Sequence, residues 1–163
     1  MTTKILFLDR DGVINHDPED YTKNLSELTL LPNATKAVAY ATSLGYTIVV
    51  ITNQAGVGKG LYTHQNVVEI HQYIAQKAEE AGGEIAAFYY CPHNPNATKC
   101  LCRKPDHIMV QKALARYNAS PSQSLFIGDK PRDVACAEAA GVKGILMPCN
   151  GDLLYILTQN LPK

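Results

Sequence analysis

A chain of 163 residues, 46% hydrophobic and 18% charged, is long enough to bury about 70% of its unfolded surface as one domain, residues 1–163, without staples. A formal net charge of zero argues against a broad phosphate-backbone surface, which leaves a basic excess, so no nucleic-acid partner is expected. The N-terminal apolar run is short and broken at Asp9, which reads as neither signal peptide nor membrane span and points to a cytoplasmic protein, read here as a monomer.

The first element is Lys4-Ile-Leu-Phe-Leu-Asp9-Arg-Asp11-Gly12. Four apolar residues bounded by charges predict a short strand buried on both faces, running into a carboxylate pair. Asp9 and Asp11 are two apart, so on an extended backbone both side chains would point the same way. Residues 13–21 are polar and hold Pro18, as a loop over the strand end would. A helix is predicted from about Asn33, after Pro32, and Gly45 ends it.

The second strand covers 46–51 and delivers Thr52 and Asn53 to its end, and the glycine-rich stretch 54–60 is a loop. Thr63 is placed to cap a long helix with Val67, Ile70, His71, Ile74 and Ala78 on one face, stopping at Gly82-Gly83. A third strand follows at 84–90. Residues 91–103 have no period, and Pro105 is expected to open a helix striped by Val110, Leu114 and Tyr117. The fourth strand, 124–127, ends in Gly128-Asp129. A short helix from Val134 to Ala140, a strand at 143–147 and a helix at 152–159 complete the chain. Strictly alternating strands and helices predict the α/β class: one doubly wound, Rossmann-like parallel sheet.

In such a sheet ligands bind beyond the carboxyl ends of the strands. Those ends carry Asp9 and Asp11, Thr52 and Asn53, and Asp129 with Asp133, while Arg103 and Lys104 end the aperiodic loop. Carboxylates suit Mg²⁺, a hard cation often bound with substrate phosphate, and a hydroxyl and an ammonium suit phosphate oxygens. One carboxylate as nucleophile and a second as acid/base match phosphoryl transfer through an aspartyl-phosphate. Residues 53–60 nearly fit a P-loop, but Asn53 stands where its first glycine belongs and Gly60 where Ser or Thr must reach Mg²⁺.

The cysteine count is odd, five, and Cys91-x-His93 with Cys100-x-Cys102 offers the ligand set of a closed, structural Zn²⁺ site. A reducing compartment disfavours the alternative, a disulfide with a spare thiol. Cys136 and Cys149 have no partner pattern.

Asp9-x-Asp11-Gly-Val, the Thr52-Asn strand end, Lys104, and Gly128-Asp129-x-x-x-Asp133 together resemble the four ordered motifs of the haloacid dehalogenase superfamily, over nearly the whole chain. The resemblance implies that Asp9 takes the phosphoryl group, that Asp11 is acid and then base, and that Thr52 and Lys104 hold phosphoryl oxygens. It also implies that Asp9, the Asp11 carbonyl and Asp129 ligate Mg²⁺, with Asp133 one layer further out.

No insertion is long enough for a cap domain, and the C-x-H…C-x-C-R-K-P loop resembles a capless branch that includes heptose bisphosphate phosphatases and histidinol-phosphate phosphatases. The strings around Asp9, Thr52 and Gly128 are more similar to the heptose enzymes. This implies a small phosphorylated metabolite, a sugar bisphosphate on the route to ADP-heptose and lipopolysaccharide core, that loses its 7-phosphate. By the same resemblance Asp17, Asp20, Tyr21, Asn53, Gln54, Ala55, Arg103 and Lys130 contact sugar or second phosphate, and His16 lies in the same flap. Histidinol phosphate is the alternative substrate, supported by the short zinc loop, and a nucleic-acid 3′-phosphate is a third reading that the neutral charge disfavours.

Overall fold

A computed structural model describes residues 2–163. Its central strand, β1 (Ile5–Leu8), alternates Leu6 and Leu8 to one face and Ile5 and Phe7 to the other, and all four are fully buried. At about 1.5–3 kcal/mol for each large apolar side chain removed from water, this strand anchors two cores at once.

The other strands are β2 (Thr47–Asn53), β3 (Ile85–Cys91), β4 (Leu125–Gly128) and β5 (Lys143–Leu146). All pairs are parallel, in the order β3-β2-β1-β4-β5. On one face, Leu6, Leu8, Ile48 and Val50 pack with α1 (Ala34–Ser43), α2 (His64–Glu80) and α5 (Leu153–Asn160). On the other, Ile5, Phe7, Val49 and Ile51 pack with α3 (Ile108–Arg116) and α4 (Pro131–Ala139). From β1 the order runs to β2 and β3 on one side and to β4 and β5 on the other. The crevice between the carboxyl ends of β1 and β4 is therefore the topological switch point, where this class of sheet binds ligands.

Helix α2 starts as expected: the Thr63 hydroxyl accepts from Asn66 N–H, the Asn66 side chain answers on Thr63 N–H, and Val67, Ile70, His71, Ile74 and Ala78 are its buried face. Three expectations are corrected. Strands β2 and β3 run on to Asn53 and Cys91 because the Thr52–Tyr90 and Asn53–Cys91 pairs continue the ladder past the apolar run. Pro105 does not open α3. It lies in a turn closed by Asp106 N–H on the Arg103 carbonyl (2.8 Å), and the helix starts at Ile108. Helix α4 starts three residues before Val134, at Pro131, a first-turn position that needs no N–H donor. Two 3-10 turns, Leu25–Glu27 and Pro121–Gln123, are too short to leave a periodic signal. Among the described residues no helix is long and apolar enough to cross a membrane.

Candidate active site

Asp9 lies directly past the end of β1 and stays tied to the sheet, its N–H donating to the Ile127 carbonyl of β4 (3.0 Å). The chain then bends at Arg10, whose carbonyl accepts from the N–H groups of Val13, Ile14 and Asn15. The extended geometry expected for Asp9 and Asp11 is thereby broken, and the two carboxylates have separate partners.

Asp9 Oδ1 accepts from Lys104 Nζ at 2.8 Å. That ammonium is buried and also meets Asp133 Oδ1 at 2.6 Å and the Ile51 carbonyl at 2.9 Å. Asp133, on the first turn of α4, uses its other oxygen to accept from Lys130 N–H at 3.1 Å. Oxygens of Asp9, Asp129 and Asp133 lie within 4.8 Å of one another. Both Asp129 oxygens are buried without a hydrogen bond, and Lys130 Nζ stands off one of them at 3.5 Å. Gly12, at φ +85°, comes so near that a Cβ there would sit 2.3 Å from Asp129 Oδ2. Burial pushes Asp9 up to about 8, with Asp133 adding to burial and Lys104 opposing it. Burial alone would lower Lys104, but Asp9 and Asp133 outweigh it and hold the lysine charged. Two of the three carboxylates, Asp9 and Asp133, share the buried Lys104 ammonium, and both oxygens of the third, Asp129, lack a hydrogen bond. This oxygen cluster is short of positive charge and fits Mg²⁺.

Asp11 is wired differently. Arg10 Nη2 (2.9 Å) and Asn15 Nδ2 (3.0 Å) donate to its Oδ1, and Gln54 Nε2 (2.8 Å) donates to its Oδ2. Burial would raise this carboxyl, but the Arg10 charge and the hydrogen bonds outweigh burial and hold it below the usual range. Arg10 is itself fully buried and places Nη1 3.3 Å from His71 Nε2 on α2. Arginine has only donors, so that nitrogen accepts. Burial, then Arg10, lowers His71 to about 3, which keeps the ring neutral as it stacks on Phe88 with centroids 4.4 Å apart.

Asn53 pins the end of the cysteine loop. Its Oδ1 accepts from Lys104 N–H (3.0 Å), and its Nδ2 donates to the Lys104 carbonyl (3.3 Å). Upstream, the sulfurs of Cys91, Cys100 and Cys102 and a ring nitrogen of His93 fall within 4.8 Å of one another, and all the cysteines are free thiols. Their separations are 3.6 Å for Cys91–Cys100, 3.4 Å for Cys91–His93, 3.2 Å for His93–Cys102 and 2.8 Å for Cys91–Cys102, the last closer than a tetrahedral edge. A tetrahedron with metal–sulfur bonds of about 2.3 Å has edges of roughly 3.8 Å, so four convergent N and S ligands in this span suit Zn²⁺.

Above the carboxylates opens a cavity of about 490 Å³. Of the residues expected there, Asp11, Asp17, Asp20, Tyr21, Asn53, Gln54 and Lys130 line it. Asp9, Thr52, Lys104, Asp129 and Asp133 are buried. Ala55 is also buried and His16 exposed, neither on the cavity wall. Arg103 faces a different hollow, with Pro95, Lys99 and Leu101. Arg132, on the first turn of α4, lines the cavity instead and escapes a reading centred on strand ends. Cys149 lines it too, and Asn150 holds the flap: its Oδ1 accepts from Asp17 N–H at 2.7 Å, and its Nδ2 donates to the Asp17 carbonyl.

The HAD-hydrolase-like family model matches residues 101–151. A Neisseria meningitidis serogroup A protein, D-glycero-beta-D-manno-heptose-1,7-bisphosphate 7-phosphatase, is 40% identical over 144 residues, 88% of this chain and 76% of that protein. The enzyme of the same name from Pseudomonas aeruginosa is 36% identical across 100% of this chain and 90% of its own. The crystal structure of D,D-heptose 1,7-bisphosphate phosphatase from B. bronchiseptica, complexed with magnesium and phosphate, superposes with a TM-score of 0.86 at 33% identity, covering 99% of this chain and 89% of that one. Shared sequence and shared fold, together with carboxylates gathered at the β1–β4 crevice, give one conclusion: the chain belongs to the heptose bisphosphate phosphatase family of the haloacid dehalogenase superfamily.

Proposed function

We propose that this phosphatase removes the 7-phosphate of D-glycero-D-manno-heptose 1,7-bisphosphate. The observation that carries the reading is the buried cluster Asp9–Lys104–Asp133 with the unpaired Asp129 beside it, beneath a cavity with Lys130 and Arg132 in its wall. Its relatives act on that sugar bisphosphate by name, and the cavity falls in the range of small-molecule sites, about 300–1,000 Å³.

Asp9, in the carboxylate form that Lys104 and a bound Mg²⁺ would favour against burial, attacks phosphorus, and the bond from phosphorus to the sugar oxygen breaks as Asp11 gives that oxygen a proton. A water then attacks the Asp9 phosphoryl group, Asp11 takes its proton, and inorganic phosphate leaves with Asp9 regenerated. Asp11 is held as a carboxylate in the free enzyme, the form the second half needs. An incoming phosphoryl dianion raises its proton affinity for the first half. Lys104 and the Thr52 hydroxyl offset charge on the phosphoryl oxygens. Asp9, Asp129 and the Asp11 carbonyl would hold Mg²⁺, with Asp133 behind them, and the ion when bound neutralises phosphoryl charge. Cys91, His93, Cys100 and Cys102 would hold Zn²⁺ and so brace the loop that carries Lys104 to the site.

Asp17, Asp20 and Tyr21 supply acceptors for sugar hydroxyls, and Lys130 and Arg132 supply the cations for the phosphate that stays. Asp9→Asn tests the chemistry: Tm is retained and turnover with Mg²⁺ falls by at least about 10³-fold. Substantial residual activity in a folded Asp9→Asn protein would overturn it.

A further inference from the structure

Between the carboxylate of Asp11 and the hydroxyl of Thr52 stands one amide. Gln54 Nε2 donates to Asp11 Oδ2 at 2.8 Å and to Thr52 Oγ1 at 2.9 Å. An amide nitrogen carries two hydrogens, so both are spent. The carbonyl end of the same amide accepts from Tyr62 Oη at 2.6 Å. Turned over, the amide would set its oxygen against the Asp11 carboxylate. Only the observed orientation pairs every group.

That orientation has a consequence at Thr52. Since Gln54 fills a lone pair of Oγ1, the hydroxyl proton must point elsewhere. Among the described residues its one acceptor is the Asn53 carbonyl at 3.4 Å, too long to hold it strongly. The proton is thus free for an incoming phosphoryl oxygen. Tyr62 is built in to match. It is buried, burial pushes its phenol well above the ordinary value, and the hydroxyl therefore stays a donor. Its ring lies against Gly56, where a Cβ would come within 2.0 Å of a ring carbon, so the loop accommodates an aromatic ring at this position. From the flap, the Tyr21 ring tilts onto Tyr62 with centroids 5.9 Å apart.

We propose that Tyr62 and Gln54 are positioning residues: Tyr62 locks the Gln54 amide so that one nitrogen aims both the acid/base carboxylate of Asp11 and the phosphate-binding hydroxyl of Thr52. The proposal rests on the phosphatase reading above. Tyr62→Phe keeps the ring on Gly56 and removes only the hydroxyl. The test measures kcat, KM and Tm of Y62F, Gln54→Ala and the double variant. Substrates are heptose 1,7-bisphosphate and p-nitrophenyl phosphate, the second independent of the sugar assignment. Y62F is expected to keep its KM, to lose only a few degrees in Tm for the unpaired Gln54 oxygen, and to lose about tenfold in kcat on both at a temperature where it is fully folded. In the Q54A background the same change is expected to do nothing further, because the lock then has nothing to hold. Wild-type kcat in Y62F, or single losses that multiply in the double variant, would overturn the relay and leave the phosphatase reading standing. A wild-type protein that hydrolyses neither ester would overturn both. A kcat loss in Y62F that tracks only the unfolded fraction, with full activity where the variant is folded, would assign the hydroxyl a purely structural role and overturn the relay.

Discussion

The two ends of the site are built on opposite plans. At the reacting end, Asp9, Thr52, Lys104 and Asp133 are buried on strand and helix termini, and each is held by short hydrogen bonds or ion pairs. At the recognition end, Asp17, Asp20, Tyr21, Lys130 and Arg132 are half-buried or exposed, on a flap and on the first turn of a helix. Ion pairs at this end are long, 3.8 Å for Lys23–Asp20 and 3.9 Å for Lys130–Asp17. Rigid geometry is needed where charge develops, because preorganised groups spend nothing on reorganisation. A sugar with many hydroxyls is met better by adaptable side chains, and exposed pairs of this length contribute little to stability.

Damage at the rigid end should cost turnover, and damage at the adaptable end should cost affinity. Beyond Asp9 itself, the largest effect, and the largest on the fold, is expected from the cysteine cluster. Cys100→Ser, or stripping of metal by a chelator, should lower Tm and turnover together, since the loop that delivers Lys104 loses its brace. At this chain length a loss of even about 2 kcal/mol appears as roughly 4–8 °C in Tm. A metal-free protein with unchanged Tm and activity would contradict the assignment. Next, Lys130→Ala with Arg132→Ala should raise KM for heptose 1,7-bisphosphate about tenfold and barely move kcat, as lost uniform binding does. With a monophosphate substrate the same pair should show little change. A kcat loss equal to the KM change would mean these cations act on the reacting phosphate instead.

The smallest effect concerns the layer beneath Asp11. His71 takes a proton near 6.5 when unfolded but only near about 3 when folded, so the unfolded chain binds more protons between those values. Its contribution is fully present above pH 6.5 and is lost as pH falls toward 3. His71→Gln keeps an acceptor for Arg10 and removes the titration. The fall in Tm between pH 7 and pH 4 should be shallower in this variant than in the wild type, and parallel curves would contradict the linkage.

The rigid end is the more legible in sequence, for a physical reason. An apolar run as short as Ile5–Leu8, bounded by charges, suits a strand buried on both faces, and strand ends in a parallel sheet lie along one edge. Asp9, Thr52, Lys104, Asp129 and Asp133 can therefore be gathered without knowing a single distance. Their wiring cannot. The bend at Arg10 separates Asp9 from Asp11, and nothing in the pattern reveals that the intervening arginine is buried under α2 against His71. Tyr62 is one aromatic residue in a glycine-rich loop until its hydroxyl is seen on Gln54. At the adaptable end Arg103 and Arg132 change places for a similar reason. The turn at Arg103–Asp106 directs one away, and the early start of α4 at Pro131 brings the other in.

In this site buried carboxylates would take one phosphate while the mouth holds the other. The most direct test of that division is the identity of the product, read together with kcat/KM for heptose 1,7-bisphosphate, histidinol phosphate and a 3′-phosphorylated oligonucleotide in Mg²⁺. One phosphate should be released and a heptose 1-phosphate left, with the highest kcat/KM for the bisphosphate. Loss of the 1-phosphate, or a higher kcat/KM for histidinol phosphate, would contradict it.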